Sequence, residues 1–105
     1  MSAFCNCTSN IIAADNGTTL FQDNYVGGDT TDKQAIYQSG ANNTLNLLVV
    51  NNGTMTFYDY ITGDSDFDMA ISGDAGSTLN LYNQILNSDI STMGAFTFNT
   101  ANDSL

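Results

Sequence analysis

Apolar and polar residues alternate along the central part of the chain, and clusters of turn-forming residues interrupt the alternation about every ten to twelve residues. The segment 66–72 shows this most clearly, because Phe67, Met69 and Ile71 alternate there with polar or small residues. A period of two places one set of side chains in a core and the other in solvent, as in a β-strand. The pattern predicts four consecutive strands over residues 44–50, 54–61, 66–72 and 77–82.

The turn between the first two of these strands is Asn51-Asn52-Gly53. Asn-Gly is a strong hairpin signal, because both central residues of a type I′ turn need a positive φ, which Asn tolerates and Gly adopts freely. Similar clusters at 62–65 and 73–76 separate the later strands. We therefore expect each strand to fold back on the one before it, as an antiparallel meander.

Shorter strand patterns occur at 17–22, 35–38 and 94–99, and residues 84–92 fit either a strand or one helical turn. The chain contains no proline and has many turns rich in Gly and Asn. These features predict an all-β fold, an antiparallel β-sandwich or small barrel of about seven to eight short strands. The predicted core residues are Leu47, Val49, Phe57, Phe67, Met69, Ile71, Leu79, Leu81, Phe96 and Phe98.

A β-solenoid of stacked coils is the alternative fold. The segment TLNL occurs at 44–47 and again at 78–81, each time after small turn residues. In a solenoid, three or more repeats stack to bury a continuous core. Because this spacing does not occur a third time, the sandwich is the favoured interpretation.

The length of 105 residues fits one domain, which we divide into an extended N-terminal arm over 1–15 and a β-sandwich domain over 16–105. The arm is polar and contains Cys5 and Cys7. Three states of these cysteines are open: free thiols, cross-links between subunits, or a metal site for which the chain offers no third Cys and no His. We expect the arm to contact neighbouring subunits.

The charge of the chain excludes several partners. It has eleven Asp, no Glu and no His, and Lys33 is its single basic side chain, so the formal net charge is −10. Such a chain cannot neutralise nucleic-acid phosphates or an anionic membrane surface. It has no signal peptide pattern and no apolar run long enough for membrane insertion. Without His, Arg or Glu the common acid, base and oxyanion-binding groups are missing, which argues against an enzyme.

Asp64, Asp66 and Asp68 have the D-x-D-x-D spacing that opens many calcium-binding loops, and Ca²⁺ prefers several oxygen ligands. The loop pattern then ends, because Ala75 stands where a bidentate Glu belongs. The alternative is that Asp66 and Asp68 lie on the solvent face of a strand and keep the sheet soluble. We expect no dedicated cofactor and at most weak calcium binding.

Tyr58 and Tyr60 flank Asp59 and should lie on the strand face opposite Phe57. They are either an exposed aromatic contact surface or a case of cross-strand packing. The interface interpretation makes them candidate contact residues. We also expect several carboxylates to share one negative sheet face, namely Asp59, Asp64, Asp66, Asp68 and Asp74.

These observations favour a non-enzymatic structural subunit of a repeating assembly, a homo-oligomer whose partners are its own copies, a capsid shell protein, or both. A decoration or cement protein on the virion surface is the first hypothesis, because such a protein benefits from a soluble acidic surface and works by contacts. The first alternative is a self-assembling extracellular or spore-surface filament subunit, cross-linked through Cys5 and Cys7. The second alternative is a small calcium-dependent binding module.

Overall fold

The structure of the protein, a computed structural model, describes residues 2–3, 8–21, 34–38, 41–63, 65–82, 85 and 88–100. All regular elements in these ranges are β-strands. No helix that could span a membrane occurs within them. The strands are β1 (Ser2–Ala3), β2 (Thr8–Ala13), β3 (Thr18–Phe21), β4 (Gln34–Gln38), β5 (Thr44–Val49), β6 (Thr54–Phe57), β7 (Tyr60–Gly63), β8 (Phe67–Gly73), β9 (Thr78–Leu81), β10 (Ser88–Gly94) and β11 (Thr97–Thr100).

The strands form three parallel sheets. Sheet A has the order β1-β4-β7, sheet B the order β10-β8-β5-β2, and sheet C the order β11-β9-β6-β3. The chain visits A, B and C in turn and then returns to A, so each circuit makes one coil. Coil 1 holds β1 to β3, coil 2 holds β4 to β6, and coil 3 holds β7 to β9. Coil 4 holds an isolated bridge from Ile85 to Ile61 in sheet A, followed by β10 and β11.

The predicted antiparallel β-sandwich or small barrel is therefore wrong, and the molecule is a parallel β-solenoid. Each described strand pairs with the strand one coil away, never with its sequence neighbour. The in-and-out alternation was read correctly, but it is the same for a strand in a parallel or an antiparallel sheet. The turn clusters bend the chain from one sheet into the next and do not reverse it.

The solenoid alternative describes the fold, although the TLNL pair is not its repeat. The first TLNL lies in sheet B, where Thr44 pairs with Thr8 and Asp68, whereas the second lies in sheet C. The true offset between coil 2 and coil 3 is 24 residues, as between Thr56 and Asn80. Between coil 1 and coil 2 it is 36 residues, which makes coil 1 the longest.

The corners between sheets B and C explain why the hairpin prediction failed. The Asn-Gly signal predicts positive φ at Asn52 and Gly53, but the left-handed pair is Asn51 and Asn52, with φ values of 52° and 61°. Asp15 and Asn16 at the matching corner of coil 1 have nearly the same values, 54° and 62°. The two corners lie on top of each other, and the Asn16 amide donates to the Asn51 carbonyl at 2.9 Å. The left-handed pair thus builds a stacked corner in successive coils.

A close approach between coils makes Gly53 necessary. Its amide closes the corner by donating to the Val50 carbonyl at 3.0 Å. A Cβ atom at this position would overlap the backbone carbonyl of Ala13 in coil 1. Any larger residue would push the two coils apart at this corner.

The core fills the interior of the solenoid with stacked rows of apolar side chains. In β8, Phe67, Met69 and Ile71 point inward and are buried, whereas Asp68 points outward. Of the ten predicted core residues, eight are buried, and Phe96 and Phe98 are partly buried because they lie in the last coil. The other buried apolar side chains are Ala13, Ile36, Leu45, Met55 and Ile61.

Two of the predicted segments differ in detail. The strand predicted over 54–61 is divided into β6 and β7, and the side chain of Asp59 is buried at the corner between them. The ambiguous segment 84–92 contains the first part of β10. Within the predicted N-terminal arm, residues 8–13 form β2, which pairs with β5 over its whole length.

Candidate functional site

The three candidate calcium ligands do not form a described site. Asp64 lies outside the described residues, and Asp66 and Asp68 are exposed. Asp68 lies on the outer face of β8, as the solvent-face alternative predicted. No group of three metal-ligating side chains occurs in the part of the chain that the structure describes.

Asp68 has a neighbour that the sequence did not suggest. Asp89 in β10 is its register partner, so the two exposed carboxylates lie side by side on adjacent strands of sheet B. Adjacent strands are about 4.8 Å apart, and like charges directly opposite each other destabilise a sheet. This pair concentrates negative charge at one place on the outer face of coils 3 and 4.

The tyrosines take different positions. Tyr58 is 47% exposed and packs on Tyr82 of the next coil, with ring centroids 5.3 Å apart and an interplanar angle of 33°. Tyr60 is half-buried at the start of β7. The observed contact is packing of Tyr58 on Tyr82 between neighbouring coils, and sequence reasoning missed Tyr82. A signal was present, because each tyrosine directly follows the strand of sheet C in its coil.

Asp74 fastens the corner of coil 3 to the corner of coil 2. Its carboxylate accepts hydrogen bonds from the Ser77 hydroxyl at 2.6 Å and from the Asn51 amide at 3.0 Å. The Ser77 hydroxyl and the Asn51 amide, by stabilising the charged form, hold the pKa of Asp74 below its ordinary value. Asn51 also donates through its side chain to Asp15 in coil 1 at 3.0 Å. The charged carboxylate of Asp74 therefore links the corners of coils 2 and 3.

Amide side chains form short ladders on the outer faces of two sheets. In sheet B, Asn46 donates to Asn10 at 3.0 Å. In sheet C, Asn99 donates to Asn80 at 2.8 Å, and Asn80 donates in turn to Thr56 at 3.1 Å. These bonds join coil to coil in the same direction as the backbone ladder, so they stabilise the stack.

A shallow groove of about 280 Å³ runs over the outer face of sheet B. It forms where the outward side chains become smaller, from Leu48 in coil 2 to Ala70 and Ser72 in coil 3. No ionisable side chain lines it, so the groove supplies no acid–base chemistry. Its lining consists of Asn10, Ile11, Ile12, Asn46, Leu47, Leu48, Ala70 and Ser72.

The end face of coil 4 is the largest departure from a closed core. Ile85, Ile90, Phe96 and Phe98 point toward the core but are only partly buried. The two phenylalanine rings lie 6.0 Å apart, at 34° to each other. One coil earlier, the stacked side chains Met69 and Leu79 are each 1% exposed. We call this surface of four side chains the coil 4 end face.

The two cysteines of the predicted arm, Cys5 and Cys7, lie outside the described residues. Comparison of the chain with models of protein families, with curated proteins and with solved structures finds no match.

Proposed function

We propose that this chain is a non-catalytic structural subunit of a repeating assembly, and that its partners include further copies of itself. The chain offers surfaces for contact, and the carboxylate of Asp74 is hydrogen-bonded within the fold. A protein of this kind acts by shape and stability and needs no reactive group.

The observation that carries the proposal is the coil 4 end face. Solenoids need polar terminal repeats to remain soluble as separate molecules. Here the last described coil instead presents two isoleucines and two phenylalanines that are partly exposed. Exposed apolar surface at the end of a stack favours burial against another protein surface.

Two settings agree with this proposal. The first is decoration of a virus capsid, in which a shell protein would be the second partner and the acidic surface would keep the free subunit soluble. The second is an extracellular or spore-surface filament, and one specific observation favours it: coil 1 and coil 4 are both edges of the same parallel sheets. Electron microscopy of the concentrated protein separates the settings, since a filament subunit forms threads and a decoration protein stays as separate particles.

Light scattering coupled to size-exclusion chromatography tests the proposal itself. We expect a mass above the 11.2 kDa of one chain, increasing with protein concentration, in the presence of a reducing agent. The reductant removes disulfides of Cys5 and Cys7, so any remaining association depends on non-covalent contacts. A stable monomer at every concentration would contradict the proposal.

A further inference from the structure

We propose that copies of this chain stack end to end, with the free edge of coil 4 in one copy against the free edge of coil 1 in the next. The inference rests on the proposed function, because it names the surface and the partner through which the assembly forms. In such a stack β10 pairs with β2 and β11 pairs with β3 of the next copy. Both new pairs are parallel, as are the pairs inside each molecule.

The backbone at the coil 4 edge is oriented to accept another strand. Thr97 donates its amide to the Ser77 carbonyl in coil 3 at 2.9 Å. Successive residues of a strand direct their amides to opposite sides, so the amide of Phe98 points to the free edge of β11. No described strand lies beyond β10 or β11. An edge of this kind is a template for a further strand.

The side-chain rows continue across the proposed junction. In sheet C, the residues Thr18, Thr54, Thr78 and Thr97 form one outward row in register, so the stack would place Thr97 beside the next copy's Thr18. In sheet B, Met93 would lie beside Ile12 in the same way. These two side chains are 75% and 58% exposed, respectively. Stacking would therefore place two exposed apolar side chains against each other.

Coils 4 and 1 have corners of different length, but coils 3 and 4 already stack on each other with the same difference. Between the paired strands of sheets B and C, coil 4 has only Ala95 and Phe96, whereas coil 3 has the four residues 74–77. Strands β10 and β11 nevertheless pair with β8 and β9 over their whole length. Coil 1 has a corner of four residues, 14–17, so the junction repeats an arrangement that coils 3 and 4 already make.

The charges favour a second copy on these edges. Natural edge strands are protected from pairing by charged residues, proline or bulges. Strands β2, β3 and β11 carry no ionisable side chain, and β10 carries only Asp89, although the chain has a net charge of −10. These edge strands therefore add little charge repulsion when two such acidic molecules approach each other. Coil 1 and coil 4 have the same arrangement of sheets B and C. A second copy can therefore pair with both sheets at the same time.

Two lysine variants in β10 test the proposed junction. Thr92 lies in the inward row with Ile71 and Leu47, and it is exposed at the end of that row. Thr92→Lys places a charge at the junction and should abolish every species above the mass of one chain. Ser91→Lys is the matched control, since Ser91 is the adjacent exposed residue and faces outward from sheet B. It makes the same change in net charge and should keep the wild-type mass distribution.

The masses are measured by light scattering in reductant, and circular dichroism melting confirms that both variants fold. Oligomers that persist in Thr92→Lys, or that disappear equally in both variants, overturn end-to-end stacking and leave the proposed function in place. A wild-type chain that is monomeric throughout overturns both. In that case, a larger loss of melting temperature in Thr92→Lys than in Ser91→Lys would mean that the chain's own residues cover the edge.

Discussion

At the scale of single residues, Gln38 is the polar group that fits its surroundings least well. Its side chain is fully buried, and neither its amide nitrogen nor its amide oxygen has a hydrogen-bond partner in the described part of the chain. Its register partner in the next coil is Gly63, where a Cβ atom would lie 3.1 Å from the Cβ of Gln38. Because Gly63 has no side chain, this neighbour in the row offers Gln38 no side-chain hydrogen bond.

We expect Gln38→Met to stabilise the protein. Methionine has a similar length and shape and removes a buried, unsatisfied amide, whose burial costs about 1–3 kcal/mol. The free energy of unfolding, measured by urea denaturation, should increase by about that amount. Gln38→Glu is the control of equal size, and it should lower the stability strongly because it buries a charge without a partner. A decrease for Gln38→Met would mean that the amide has a partner after all.

At the scale of elements, the sequence was sufficient to locate most strands but not to pair them. Phe67, Met69 and Ile71 are buried and Asp68 is exposed, as alternation predicts. Alternation shows only which face of a strand is apolar. That face is the same whether the partner strand is parallel or antiparallel. The Asn-Gly signal predicted positive φ at Asn52 and Gly53, whereas the structure has it at Asn51 and Asn52, and a left-handed pair suits a solenoid corner as well as a hairpin.

The correct repeat was visible in the sequence, although it was weak. A small residue precedes a threonine at Gly17-Thr18, Gly53-Thr54 and Ser77-Thr78, and these are the starts of three strands of sheet C. The unequal coil lengths hide this repeat from a search at one fixed spacing. Asp74 could not be found in this way, because its role depends on Asn51, 23 residues away along the chain.

The corner that Asp74 joins should make the fold sensitive to acid. The hydrogen bonds from Ser77 and Asn51 lower the pKa of Asp74 below 3.8, so the folded state favours the ionised form more than the unfolded state does. This stabilisation is present above the unfolded pKa and is lost as the pH falls through the folded pKa. We expect Asp74→Asn to melt at a lower temperature than the wild type at pH 7, with the difference shrinking below about pH 4.

The control for this measurement is Asp66→Asn, which removes an exposed carboxylate and makes the same change in net charge. Its melting temperature should differ little from that of the wild type at any pH. If Asp74→Asn kept a constant deficit down to low pH, the carboxylate charge would not be the cause, and loss of packing at the corner would explain the deficit better.

At the scale of the whole molecule, the acidic residues that the structure describes are dispersed over several surfaces and do not share one face. Asp59 is buried at one corner, Asp74 is bonded at another, and Asp68 and Asp89 are exposed side by side on sheet B. The net charge of −10 still produces self-repulsion in the folded state, because one lysine is the only basic side chain that opposes it. At the Asp68–Asp89 pair, two exposed carboxylates lie directly opposite each other, so repulsion acts there at short range.

We expect sodium chloride to raise the melting temperature, because salt screens repulsion between exposed carboxylates. Asp89→Asn should raise it at low salt, by the equivalent of about 0.2–1 kcal/mol, and should reduce the dependence on salt. Asp15→Asn is not a suitable comparison, since that carboxylate accepts a hydrogen bond from Asn51. Asp66→Asn is the better control, because it removes the same charge at a position outside the Asp68–Asp89 pair. An equal effect of both variants would assign the repulsion to net charge alone.

The direction of the hydrogen bonds determines how the molecule responds to force. Because every described strand pairs with the coil above or below, the bonds of all three sheets lie along the solenoid axis. Tension applied to the two ends of the chain would concentrate on the outermost coil and peel the coils away one at a time. Tension spread over the end faces would load the bonds of a whole coil together, so the same molecule would yield easily to the first kind of pull and resist the second.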